Sequence, residues 1–141
     1  MAMDVERLNV NDRGRPVSGL SGGEALIRDL ESRLGSALPP AYVDFLRHAN
    51  GGHPEIGCFR PLDSVVENIF DVDRFYSLGG SATDSIDRAL RDWQRVLGTN
   101  ALPIGRDGGG NQLYIDITDG SVWLFLHDES NRRLRVADSF D

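Results

Sequence analysis

The chain contains no lysine, so all 15 of its basic residues are arginine. That bias carries no functional weight. The shortage of positive charge does, because 22 acidic residues leave a formal net charge of −7. Phosphate binding draws on cationic side chains that release counterions, so a nucleic-acid ligand is disfavoured. The balance fits solubility or a basic protein partner. Cysteine is nearly absent: Cys58 stands alone, which excludes an internal disulfide and suits a cytoplasmic home. No apolar run approaches the ~20 residues that span a bilayer. The first residues, Met1 to Arg7, lack the basic start and apolar stretch of a signal peptide.

Catalytic and metal-binding patterns are missing too. His48, His53 and Cys58 fall five residues apart, whereas zinc ligands come in tighter pairs. Asp71-Val72-Asp73 opens like a calcium loop, but Tyr76 stands where that loop needs glycine. There is no Gly-x-Ser-x-Gly elbow. Gly105 to Gly110 has the glycine spacing of a phosphate loop. Asn111-Gln112 follow, where Lys and Ser or Thr are required, and strands flank it instead of a helix N-terminus. Asp107 can brace that loop through its own backbone amides. The chain is therefore expected to be no enzyme and to need neither cofactor nor metal.

What is present is a sequence of 141 residues, enough for one domain. Residues 1–23 read as an N-terminal arm, packed or mobile, because Gly14 to Gly23 is rich in turn formers. Ser21 and Glu24 have capping-box spacing, and Leu26, Ile27, Leu30 and Leu34 follow on one helical face up to Gly35. Pro39 or Pro40 opens a second helix, with Tyr42, Phe45, Leu46 and Ala49 as its buried stripe. Asn50-Gly51-Gly52 leads out of it. Ile56 to Leu78 predicts two strands with a helical turn near Ser64 to Asn68. Ser81 to Gly98 predicts a third helix, capped by Thr83 or Asp84, with Ile86, Ala89, Leu90, Trp93, Val96 and Leu97 on its apolar side.

Leu102 to Ile104, Leu113 to Ile117, Val122 to His127 and Arg133 to Ala137 read as strands. The Asp-Gly within Thr118 to Ser121 makes the middle two antiparallel neighbours. The period of two then puts Tyr114, Asp116, Trp123 and Phe125 on one face and Leu113, Ile115, Val122 and Leu124 on the other. The aliphatic face is expected to meet the helices. The aromatic and acidic face is the candidate binding surface, with Trp123 either core beneath a covering segment or an interface anchor. The fold class is α+β: a single domain with a largely antiparallel sheet of about five to six strands and helices packed on one face.

Three fragments occur in a telling order. The first is Leu38, Pro39, Tyr42, Phe45, Leu46, Asn50, Gly51 and Gly52, followed by Pro54-Glu55. The second is Leu102, Pro103, Ile104 and Gly105 through Gly110 to Ile117. The third is Gly120 to Asp128. Together they resemble the SUKH superfamily, which includes the yeast Smi/Knr cell-wall synthesis regulators and many bacterial immunity proteins. The resemblance covers residues 24–141. It implies a non-catalytic protein-binding domain, an immunity protein that grips a toxin, often a nuclease, and neutralises it in the cytoplasm. The alternative it implies is an intracellular scaffold or regulator of the cell-wall type. A nuclease-type toxin tends to be basic and would be steered towards an acidic inhibitor. The partner-binding residues expected on that reading are Asp107, Asp116, Asp119, Trp123, Asp128 and Glu129, with Glu55 as a weaker member. No membrane or nucleic-acid partner is expected.

Overall fold

The computed structural model describes residues 10–16, 19–20, 23–54, 58–59, 70–79, 84–127 and 132–140. The chain order is β1 (Val10–Asp12), β2 (Arg15–Pro16), α1 (Glu24–Leu34), α2 (Pro40–His48), β3 (His53–Pro54), β4 (Cys58–Phe59), β5 (Phe70–Phe75), α3 (Ile86–Leu97), β6 (Ala101–Asp107), β7 (Gln112–Asp116), β8 (Val122–Leu126) and β9 (Arg132–Ala137). Two antiparallel sheets result: a small one in the order β2-β1-β3 and a six-stranded one in the order β4-β5-β6-β7-β8-β9. This is the expected single α+β domain. The helical turn expected near Ser64 to Asn68 lies outside the described residues.

Part of the expected N-terminal arm is built into the fold. β1 and β2 form a hairpin through Arg13 and Gly14, both at positive φ (53° and 83°). That hand matches the twist of the flanking strands. The Asn11 side chain accepts a hydrogen bond from the Gly14 amide at 2.9 Å, and Val10 is buried in the core.

Helix ends explain where sequence and structure differ. Ser21 lies outside the described residues. Gly23 is the N-cap of α1 and supplies no side-chain bond. Gly35 ends α1 in the left-handed region, as expected. Leu26 is 41% exposed and so leaves the stripe of Ile27 and Leu30. Pro40 occupies the first turn of α2, where a missing N–H loses no bond. For α3 the cap is Ser85, whose hydroxyl accepts from the Arg88 amide at 3.2 Å, and not Thr83 or Asp84. Asp84 instead reaches the arginines of two adjacent strands. It pairs with Arg74 at 3.4 Å and hydrogen-bonds Arg106. Arg74 and Arg106 sit directly opposite one another across β5 and β6, so the carboxylate between them offsets a like-charge pair.

The family-like fragments each have a packing reason. Tyr42, Phe45 and Leu46 are almost fully buried, and Phe140 wedges edge-on against Tyr42 and Phe45 at 5.1 and 5.3 Å. Asn50 mimics a strand partner: its side chain donates to the Leu78 carbonyl and accepts from the Leu78 amide, at 3.0 and 2.8 Å. Gly51 has φ 88°, and a Cβ there would meet Ser77 Cβ at 3.0 Å. Gly52 exchanges both backbone bonds with Phe75. In β6 the register shifts between Pro103 and Gly105, so Ile104 is the extra residue of a bulge and is fully buried. A bulge is where a central strand tolerates a proline. At Gly105 a Cβ would lie 2.8 Å from the Arg74 carbonyl oxygen.

Candidate functional site

The alternation of β7 and β8 is as read from the sequence. Leu113, Ile115 and Val122 join the larger core with Ile27, Leu30, Tyr42, Phe45 and Leu46 from α1 and α2. Tyr114 stands opposite Trp123, and Gln112 opposite Phe125, on the other face. Two strands cannot say what lies over that second face.

The structure corrects the expectation that it is bare. Tyr114 and Phe125 form a second core with Leu97 and Ala101, and Trp93 packs against it. The Trp93 ring meets Phe125 edge-on at 5.9 Å, so the C-terminal half of α3 covers this end of the face. Arginines of β9 cover more. Arg133 lies 5.7 Å over Tyr114 and 5.8 Å from Phe125, and Arg135 lies 5.6 Å over Trp123. Phe125 is 1% exposed and Tyr114 3%. Trp123 alone of the three remains partly open. Val96, expected on the buried stripe of α3, is 43% exposed.

Arg133 and Arg135 are site residues the sequence reading missed. The signal was available: they flank Leu134 at period two, and β9 pairs Arg133 with Phe125 and Arg135 with Trp123. Cations over aromatic faces are attracted by the ring quadrupole. Arg133 also donates to the carbonyls of Val96 and Leu97 at 2.9 and 3.3 Å. A helix C-terminus is negatively polarised, so it is a favourable seat for a guanidinium. Burial raises the Tyr114 phenol above its ordinary value, against the opposing charge and hydrogen bond of Arg133.

The carboxylates divide into two groups. Asp116 and Asp119 share the β7–β8 turn. Asp116 Oδ1 accepts from the Thr118 amide and hydroxyl at 2.9 and 2.6 Å. Asp119 Oδ1 accepts from the Ser121 amide and hydroxyl at 2.9 and 2.6 Å, and Trp123 Nε1 donates to the Ser121 hydroxyl at 2.8 Å. The Ser121 bonds hold the exposed Asp119 below the usual carboxylate range. Asp107 is the last residue of β6 and lies beside the start of β7, some five residues or about 17 Å from Asp116 at the usual rise of a strand. It is 8% exposed and serves its own loop: Oδ1 accepts from the Gly109 and Asn111 amides, both at 2.9 Å, and Oδ2 from the Asn111 side chain at 2.8 Å. His127 ties the same loop to β8 through the Gly109 carbonyl at 2.7 Å. Gly110 closes the loop at φ 83°. Glu55, Asp128 and Glu129 lie outside the described residues. The structure thus joins Asp116, Asp119 and Trp123 and separates Asp107 from them.

Each carboxylate placed here holds a turn. Among the described residues no group of three or more His, Cys, Asp or Glu side chains gathers as a metal site. No helix of the described residues is long and apolar enough to cross a membrane. The geometry is that of one partly open tryptophan bordered by hydrogen-bonded charges of both signs.

Residues 23–141 match the SMI1 / KNR4 family (SUKH-1), and the chain belongs to that family. It is also similar to the SPbeta prophage-derived uncharacterized protein YokK of Bacillus subtilis (strain 168), at 27% identity over 119 aligned residues. That alignment covers 74% of this chain and 62% of the relative.

Proposed function

We propose that this chain is a non-catalytic protein-binding domain acting as a bacterial immunity protein. It binds a toxin, basic and of the nuclease type, in the cytoplasm and neutralises it. Membership of the SUKH-1 family supports this reading, as does the net charge of −7, which speeds encounter with a cationic partner.

The observation that carries it is Trp123. The ring is partly open, its nitrogen is bound to Ser121, Ser121 is bound to Asp119, and Arg135 lies over its face. Tryptophan is one of the residues enriched among interface anchors. A side chain already fixed loses little rotamer freedom on binding. Asp116 and Asp119 border it with negative charge suited to a basic partner.

Identifying a toxin by co-purification from the native host and co-expressing it with this chain tests the reading. The wild-type chain is expected to restore growth, and Trp123→Ala to lose protection while remaining folded by circular dichroism. Binding of the purified pair should weaken as salt rises, because exposed charges are screened. Salt-independent binding would remove the electrostatic part. Full protection by Trp123→Ala would remove the anchor.

A further inference from the structure

Where α3 ends, the chain leaves a depression of about 370 Å³. Leu97, Ala101 and Tyr114 are its buried lining, and Thr99 and Asn100 form an exposed rim. Arg133 stands at one wall and Asp116 at another. It opens on the same face as Trp123, since Tyr114 and Trp123 are cross-strand neighbours.

The charges on the two walls are in different states. Three N–H groups of the Arg133 guanidinium are held by the carbonyls of Val96 and Leu97 and by the Tyr114 hydroxyl, which fixes it at its wall with its charge retained. Asp116 is spent on one side only. Thr118 holds Oδ1 with two hydrogen bonds, while Oδ2 accepts none from the described residues. The carboxylate is therefore fixed in orientation with one oxygen to spare. The Thr99 hydroxyl and the Asn100 side-chain carbonyl add neutral acceptors at the rim. The depression offers a cation a fixed anionic oxygen, further acceptors and an apolar lining for its methylene stem.

We propose that this depression is a socket for a cationic side chain, arginine or lysine, presented by the protein partner. The assignment rests on the protein-binding reading above and adds what the partner must bring. Its head group reaches Asp116 Oδ2 and its stem lies along Leu97 and Ala101. Trp123 packs beside it on the partner's surface.

The test needs no toxin at first. Amide spectra of the ¹⁵N-labelled chain are followed on adding N-acetyl-arginine amide, N-acetyl-lysine amide or the neutral isostere N-acetyl-citrulline amide. Saturable shifts at Thr99, Asn100 and Thr118 are expected with the cationic probes and not with citrulline. The stronger of the two cations identifies the side chain. Asp116→Asn keeps an acceptor for Thr118, so the turn persists, yet it should weaken cation binding by about tenfold or more through loss of a charge-assisted hydrogen bond. Equal shifts with citrulline, shifts that never saturate, or unchanged binding by a folded Asp116→Asn variant would each overturn the socket. The toxin separates the two ideas. If wild type binds it and Asp116→Asn binds equally well, only the socket falls. If wild type fails to bind it, the immunity reading falls.

Discussion

Asp107 offers the sharpest check on how the glycine loop is held. Its two oxygens accept three hydrogen bonds at 2.8 to 2.9 Å, two from backbone amides and one from Asn111. Bonds to an ionised acceptor contribute roughly 1.5–3 kcal/mol each when buried. Gly109 is exposed, so water can replace its bond. The half-buried Asn111 amide and side chain are harder to rehydrate. Asp107→Ala should therefore cost about 2–3 kcal/mol. Asp107→Asn keeps one oxygen for both amides and sets an amide group against that of Asn111, which should cost about 1 kcal/mol. At roughly 2.1 cal/mol/K per residue, unfolding entropy for this length makes 1 kcal/mol worth about 3 °C in Tm. The alanine variant should then melt about 7–10 °C low by calorimetry, and the asparagine variant about 3 °C low. Hydrogen exchange at Gly109 and Asn111 should quicken in the alanine variant. Two equally damaging substitutions would mean that charge, not acceptor geometry, holds the loop. An alanine variant as stable as wild type would refute the brace altogether.

Phe140→Ala empties the site between Tyr42 and Phe45 and should lower stability by about 3–4 kcal/mol in a urea titration. A loss below about 1 kcal/mol would show that the chain's end is not anchored there. Gly51→Ala combines φ 88° with a 3.0 Å approach to Ser77 Cβ. It should cost about 2 kcal/mol or more, whereas Gly120→Ala, at φ 79° with open space around it, should cost about 1 kcal/mol. Equal penalties would contradict the close approach. All three tyrosines, Tyr42, Tyr76 and Tyr114, are raised above 10.0, chiefly by burial. The folded state thus favours the neutral phenol. Stability is whole below pH 10 and falls above it as the unfolded chain ionises first. Phenolate absorbance near 295 nm should therefore rise together with unfolding. Early, non-cooperative ionisation of the native protein would count against their burial.

The local grammar was legible because it depends on neighbours in sequence. Pro40 at the start of α2, Gly35 at the end of α1, and the alternation of β7 and β8 follow from backbone sterics and a period of two. The turn at Asp119-Gly120 made β7 and β8 partners. Misreadings arose where distant segments compete for one residue. Asp84 was read as a cap and went to Arg74 and Arg106. Asp107 braces its own loop, as its place before the glycines suggested, and both its oxygens are engaged there.

The sequence by itself determined the α+β class, the family and which side chains of β7 and β8 share a face, because short-range geometry leaves few alternatives. Only the tertiary structure decided what lies over that face. α3 and the arginines of β9 arrive from elsewhere in the chain to bury Tyr114 and Phe125, and Trp123 is left at the edge. Likewise the sequence ran its acids through neighbouring strands, but the length of β7 separates Asp107, at the end of β6, from Asp116 and Asp119. A carboxylate's availability depends on which amides fold back to meet it, and that is fixed by the path of the whole chain.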